Sequence, residues 1–89
     1  MDIEVKTPTE EDLKKLGVRN WPVWQKEESI FDWYYEEKEV CYFLEGNVEV
    51  EIPGGRTVKI VKGNLAIFPK GLKCKWHIKK KVKKHYNFG

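Results

Sequence analysis

Residues 39–52 read EVCYFLEGNVEVEI, and the alternation inside this stretch decides the fold. Val48, Val50 and Ile52 fall on one face and Glu49 and Glu51 on the other, the two-residue period of a strand buried on one side. Gly46-Asn47 interrupts the pattern with residue types that favour tight turns, so the stretch reads as two short strands meeting there. The first of them carries Glu39, Cys41 and Phe43 on one face. If that face turns inward, a carboxylate goes in with it. Such a group is costly inside a protein unless it is paired, hydrogen-bonded or metal-bound. Glu39 is therefore the first candidate functional residue.

Downstream of this stretch, Pro53-Gly54-Gly55 predicts a hairpin turn, with Val58 and Ile60 continuing the alternation. Lys62-Gly63-Asn64 predicts another turn. Residues 65–68 form a short apolar strand closed by Pro69-Lys70-Gly71, a β-turn with proline at its second position. Leu72, Cys74, Trp76 and Ile78 alternate with Lys73, Lys75 and His77. In the last predicted strand, residues 82–88, Val82, Lys84, Tyr86 and Phe88 share a face. Upstream, residues 30–35 (IFDWYY) are aromatic and β-prone, but both of their faces are apolar enough that parity does not say which is inside. Trp21-Pro22 forces an extended segment, and a strand begins over residues 23–25. Residues 3–6 suit a short edge strand. Between them lies one helix: Thr9 is its N-cap with Asp12 three residues on, Gly17 its left-handed stop, and Leu13 and Leu16 its apolar stripe. About eight short strands with closely spaced turns describe an all-β sandwich or barrel with one short N-terminal helix.

Eighty-nine residues make a single domain, with residues 1–20 as an N-terminal arm and residues 21–89 as the barrel. No apolar run approaches the roughly 20 residues of a membrane helix. The start, MDIEVKTP, is acidic and has no apolar segment, so no signal peptide is expected and the cytoplasm is the expected location. Cys41 and Cys74 lie 33 apart, which is neither a zinc-ribbon nor a redox spacing, and free thiols are expected. The net charge of +3 hides an asymmetry: residues 1–45 carry 6 Lys/Arg against 12 Asp/Glu, and residues 46–89 carry 11 against 2. In a small closed fold these halves interleave. The density of Lys and Glu suits surface ion-pair networks of the thermophile kind. Lys79-Lys80-Lys81 and Lys83-Lys84 offer positive charge, yet no recognition helix, arginine fork or RNA-binding aromatic signature accompanies them. Edge-strand protection explains such lysines without nucleic acid.

Glu39, six intervening residues and then Gly46 resemble the second half of the first cupin motif, and Gly63, Pro69 and Gly71 at their spacing resemble the start of the second. With Trp33, the run from Cys41 to Gly46, the run from Phe68 to Gly71, Trp76 and the Val82–Lys84–Tyr86 face, the chain is similar to the small single-domain cupins of the ureidoglycine aminohydrolase and ethanolamine-utilisation group. The resemblance covers roughly residues 20–88. It implies a double-stranded β-helix, the small jelly-roll barrel. It also implies a divalent-metal site made of three histidines and a glutamate, of which only Glu39 is present. Asp32 and Tyr34 stand at the first two histidine positions, or Trp33 and Tyr35 if the spacing is one shorter. Cys74 stands at the third. His77 and His85 have the parity of solvent-facing positions.

Two readings of the site follow. In one, Asp32, Glu39 and Cys74 hold a metal, zinc being the ion that accepts oxygen and sulfur together. In the other, no metal or other cofactor is held and the polar groups pair with each other. Lys84 then reaches inward to Glu39 or Glu45, or else snorkels to solvent. Cys74 is a candidate ligand or nucleophile if a neighbour lowers its pKa, and otherwise a small buried hydrophobe. Asp32, Trp33, Tyr34, Cys41, Phe68, Trp76 and Lys84 are expected round a pocket for a small planar or apolar ligand. The leading expectation is a small-molecule-binding cupin with a degenerate or absent metal site. The alternatives are a metal-dependent hydrolase or isomerase of a small amine or ureide, with Glu39 and Cys74 catalytic, and a non-catalytic interaction protein with a filled interior. A homodimer is expected if Phe31, Trp33 and Tyr35 do not all fit inside.

Overall fold

The structure, a computed structural model, describes residues 2–89. Strand β1 (Glu4–Lys6) leads into helix α1 (Glu10–Leu16), a 3-10 turn (Val18–Asn20), and strands β2 (Val23–Lys26), β3 (Ser29–Tyr34), β4 (Glu39–Ile52), β5 (Arg56–Val61), β6 (Leu65–Phe68) and β7 (Lys73–Phe88). All pairings are antiparallel. β4 and β7 pair along almost their whole lengths, from Glu39 opposite Phe88 to Glu51 opposite Lys75. Each belongs to two layers. The Glu39 end of β4 and the Phe88 end of β7 form the middle of the order β1-β6-β4-β7-β2. Their other ends are flanked by β5 and β3. This is the small jelly-roll barrel that the resemblance implied, and most of its buried apolar side chains form one core cluster.

The expected turn at Gly46-Asn47 is absent. β4 runs straight through it, and its register against β7 shifts between Phe43 and Val48. Glu39, Cys41 and Phe43 are buried before the irregularity, and Val48, Val50 and Ile52 after it, so the inward parity flips there. A bulge does what the sequence suggested a turn would do. Gly46 has φ +118°, and a Cβ there would lie 2.9 Å from the Lys81 carbonyl oxygen and from Val82 Cα. β7 is likewise one strand where two were expected, with the exposed Lys79-Lys80-Lys81 inside it. It pairs with β4 on one side, and on the other with β3 up to Ile78 and β2 from Val82, so Lys79-Lys80-Lys81 lie in the gap between those two strands and not on an edge strand. Lys79 and Lys81 instead meet Glu49 and Glu27 at 3.4 and 3.7 Å, and the acidic and basic halves of the chain interleave.

The turns at Pro53-Gly54-Gly55, Lys62-Gly63-Asn64 and Pro69-Lys70-Gly71 form as expected, as do β1 and the helix. Thr9 Oγ1 accepts from the Asp12 backbone N–H at 3.1 Å, and Asp12 Oδ2 accepts from the Thr9 N–H at 2.9 Å. The Thr9 backbone N–H holds the Asp12 carboxyl below its ordinary range. Leu13 is buried but Leu16 is exposed, so the helix docks by one side chain plus Val18 of the following turn. Among the described residues no helix is long and apolar enough to cross a membrane.

Candidate functional site

Register places the site. Lys84 on β7 lies opposite Trp24 on β2 and Phe43 on β4. Glu39 lies opposite Phe68 on one side and Phe88 on the other. Phe31 lies opposite Trp76. These inward positions converge on a cavity of about 260 Å³ walled by Trp24, Phe31, Trp33, Tyr35, Trp76 and Tyr86, with Glu39, Lys84 and Phe88 completing it.

Glu39 and Lys84 are each 4% exposed and face one another, Lys84 Nζ standing 3.2 Å from Glu39 Oε2 and 3.5 Å from Oε1. Glu45 is exposed and takes no part. The ammonium also sits 4.6 Å from the Trp76 ring centroid, 4.9 Å from Trp24, 5.8 Å from Phe43 and 6.0 Å from Phe68. Electron-rich ring faces stabilise a desolvated cation, so the box supplies part of what water would have given. The rings support one another: Tyr35 stacks on Phe68 at 4.8 Å, Phe68 on Trp76 at 5.6 Å, and Trp24 meets Trp76 edge-on at 6.2 Å.

The Tyr35 hydroxyl and the Trp76 indole N–H are both buried out of reach of solvent, the first beside the Glu39 carboxylate and the second beside the Cys74 thiol. Burial first, and the Glu39 carboxylate second, push the Tyr35 phenol well above its ordinary pKa, so it stays a neutral donor.

Of the residues expected at the site, Glu39, Trp33, Trp76 and Lys84 line the cavity. Phe68 packs behind Tyr35, and Cys41 is fully buried with its thiol toward the Ala66 carbonyl at 3.7 Å. Asp32 and Tyr34 are exposed on the opposite face of β3, and with Cys74 they border a separate shallow depression beside Glu51, Lys73 and Lys75. Strand alternation is the reason: Phe31 and Trp33 take the inward parity, and Asp32 and Tyr34 cannot share it. Asp32, Glu39 and Cys74 are therefore not brought together, and among the described residues no three His, Cys, Asp or Glu side chains are arranged to hold a metal ion. The residues present do not fit the metal site that the resemblance implied.

Cys74 is buried with its thiol 3.7 Å from the Trp33 carbonyl oxygen. Burial raises its pKa to about 11, the reverse of what an activated nucleophile needs. Cys41 is raised to about 12. Both thiols are free. His77 and His85 are half-buried: His77 Nε2 lies 2.9 Å from Glu51 Oε2, and His85 Nδ1 3.0 Å from the Trp21 carbonyl oxygen. Phe31, Trp33 and Tyr35, considered above as a dimer face, all border the cavity, but they do not all fit inside: Tyr35 is buried and Trp33 is 49% exposed. Trp24, Phe31, Tyr35, Tyr86 and Phe88 line the cavity but were not among the residues expected round it. Trp24 sits in a four-residue strand whose register no local pattern reveals; Tyr86 shared the face of Lys84 and was legible there.

Residues 13–86 match the family model of the EutQ-like cupin domain. The chain belongs to the EutQ-like cupins. This EutQ-like cupin is 50% identical to a DUF861-family protein of Thermotoga maritima whose crystal structure superposes with a TM-score of 0.97, over 99% of this chain and 100% of that one. It is 27% identical to the EutQ protein of Clostridium difficile over 74% of this chain and 52% of that one, with a TM-score of 0.68. A DUF861-family protein of Pseudomonas syringae shares the fold at 22% identity and a TM-score of 0.69, over 75% of this cupin and 29% of the longer chain. No curated protein matches.

Proposed function

We propose that this EutQ-like cupin is a binding module for a small molecule with a planar, largely apolar body, held in the aromatic cavity. One observation carries the reading: ring faces surround a space of about 260 Å³ whose charged groups already neutralise each other. Apolar walls with a few fixed polar groups are the ordinary make-up of a ligand site, and drug-sized ligands take pockets of about 300–1,000 Å³, so the ligand here is of single-ring size. A purely interacting protein would have no need of such a space. The cavity counts against a filled interior.

Trp24, Trp33 and Trp76 all border the cavity, so occupancy reports through intrinsic fluorescence. Titration with single-ring probes (benzamide, benzoate, benzylamine and toluene) is expected to give a saturable change for at least one, with a matching rise in melting temperature. If all four leave both the emission and the melting temperature unmoved, the reading fails.

A further inference from the structure

Lys84 is unlike the other lysines of this chain: they are exposed, apart from the half-buried Lys83, and Lys84 alone is buried. It nonetheless borders the cavity, as Glu39 does, and each of the two side chains keeps 6% of its surface open. Lys84 Nζ stands 4.6 Å from the Trp76 ring centroid and 4.9 Å from that of Trp24, and both rings are cavity walls. This setting has what an amine nucleophile needs. A lysine ammonium must lose a proton before it can attack, and Glu39 Oε2 at 3.2 Å is an acceptor within reach. Passing that proton turns two buried charges into two neutral groups and relieves the desolvation cost of both.

Resting on the binding role argued above, we propose that Lys84 is a Schiff-base nucleophile and that the cavity takes small, neutral, planar aldehydes. Glu39 accepts a proton from Lys84 Nζ. The nitrogen lone pair then forms a bond to the aldehyde carbon, the C=O π pair moves to oxygen, and a second proton passes from nitrogen to that oxygen. Glu39 returns its proton to the new hydroxyl, which leaves as water while the nitrogen lone pair closes the C=N bond. Nothing is oxidised or reduced: an ammonium and an aldehyde give an iminium and water. The iminium inherits the Glu39 carboxylate as counter-ion and the ring faces that held the ammonium, so the charge balance of the site is kept. An aldehyde with a charge of its own would bury that charge unpaired.

Benzaldehyde with cyanoborohydride at pH 7.5 tests this, because reduction of the imine fixes a benzyl group on the nitrogen. At equimolar aldehyde, peptide mapping by mass spectrometry is expected to show Lys84 labelled about tenfold or more ahead of any exposed lysine. The anionic 4-carboxybenzaldehyde, with the same ring and reactive group, is expected to show no such preference. Saturating toluene is expected to suppress the Lys84 adduct and leave labelling of the exposed lysines unchanged. Lys84→Met is expected to lose the preferred adduct; if that variant does not fold, the position of the label in the parent chain decides. Labelling spread evenly over the exposed lysines overturns the nucleophile, and so does a Lys84 adduct that toluene leaves undiminished. Saturable quenching of tryptophan emission by benzaldehyde without a Lys84 adduct also overturns it, and leaves ring binding intact. Failure of benzaldehyde and of all four unreactive probes to move either the emission or the melting temperature overturns both.

Discussion

Lys84 decides whether Glu39 is tolerable where it is. Both side chains are almost wholly out of water and 3.2 Å apart, so each is the other's counter-ion. Lys84→Met leaves a buried carboxylate alone and is expected to cost about 3–5 kcal/mol in urea unfolding at pH 7. Glu39→Gln leaves an ammonium that still has the faces of Trp24 and Trp76, so its cost is expected to be smaller by about 1–2 kcal/mol. Replacing both, as Glu39→Leu with Lys84→Met, is expected to restore most of the loss, because no lone charge remains. Equal costs for the two single variants would show that the aromatic box contributes nothing. The thiols make a pH prediction. Cys41 and Cys74 hold their protons more tightly folded than unfolded, with pKa values of about 12 and about 11 against 9.0. Their contribution to stability is whole below pH 9.0 and drains as pH rises through the folded values. At pH 8 the native protein should resist iodoacetamide and take up two equivalents only in denaturant; rapid native labelling would contradict the burial of the thiols. Glu39 and Lys84 were legible as a pair because each broke the apolar parity of its own strand. The choice between Glu45 and Glu39 was not, since it depends on where the parity of β4 flips.

At the level of elements, β4 turns on Gly46. Its positive φ suits glycine, and its α-carbon faces the β7 backbone too closely for a methyl group. Gly46→Ala is expected to cost about 1–3 kcal/mol from φ alone, with the clash in addition. Gly54 has φ +98° in open space, so Gly54→Ala carries the conformational part without the clash. The larger drop in urea midpoint should be that of Gly46→Ala; equal drops would mean that the close approach to Val82 is relaxed at no cost. Gly-Asn between two alternating runs has the same appearance whether the chain reverses or bulges, since both need a backbone that few residues adopt. The alternation was readable, and so were the hairpins at Gly54-Gly55 and Gly63-Asn64. What hid the continuity of β4 and β7 was that their crossing point is polar and solvated, Lys79-Lys80-Lys81 looking like a loop. The aromatic cavity was half-legible for a related reason: Trp33 and Trp76 lie in patterned strands, whereas Trp24 joins them only through a register set by β7.

For the whole molecule, the sharing of two long strands between both layers has a consequence for unfolding. The layer containing β6 and β2 and the layer containing β5 and β3 are built on the same two backbones, and the core cluster draws on residues of both ends. Both layers are cut through the middle if β4 and β7 separate, so neither should persist alone. Equilibrium unfolding in urea is therefore expected to be a single transition, with tryptophan emission, which reports on the cavity, and far-UV circular dichroism, which reports on all the strands, giving the same midpoint. Lys84→Met lies in one layer and Gly46→Ala at the crossing, yet each should shift both signals together. The ladder from Glu39 opposite Phe88 joins distant parts of the chain, and such topology is slow to form, so refolding is expected within about milliseconds to seconds. Two separated midpoints, or a variant that loses the tryptophan signal while the strand signal stays, would show that one layer stands without the other. The cavity would then be a local feature of a half-barrel instead of a product of the closed one.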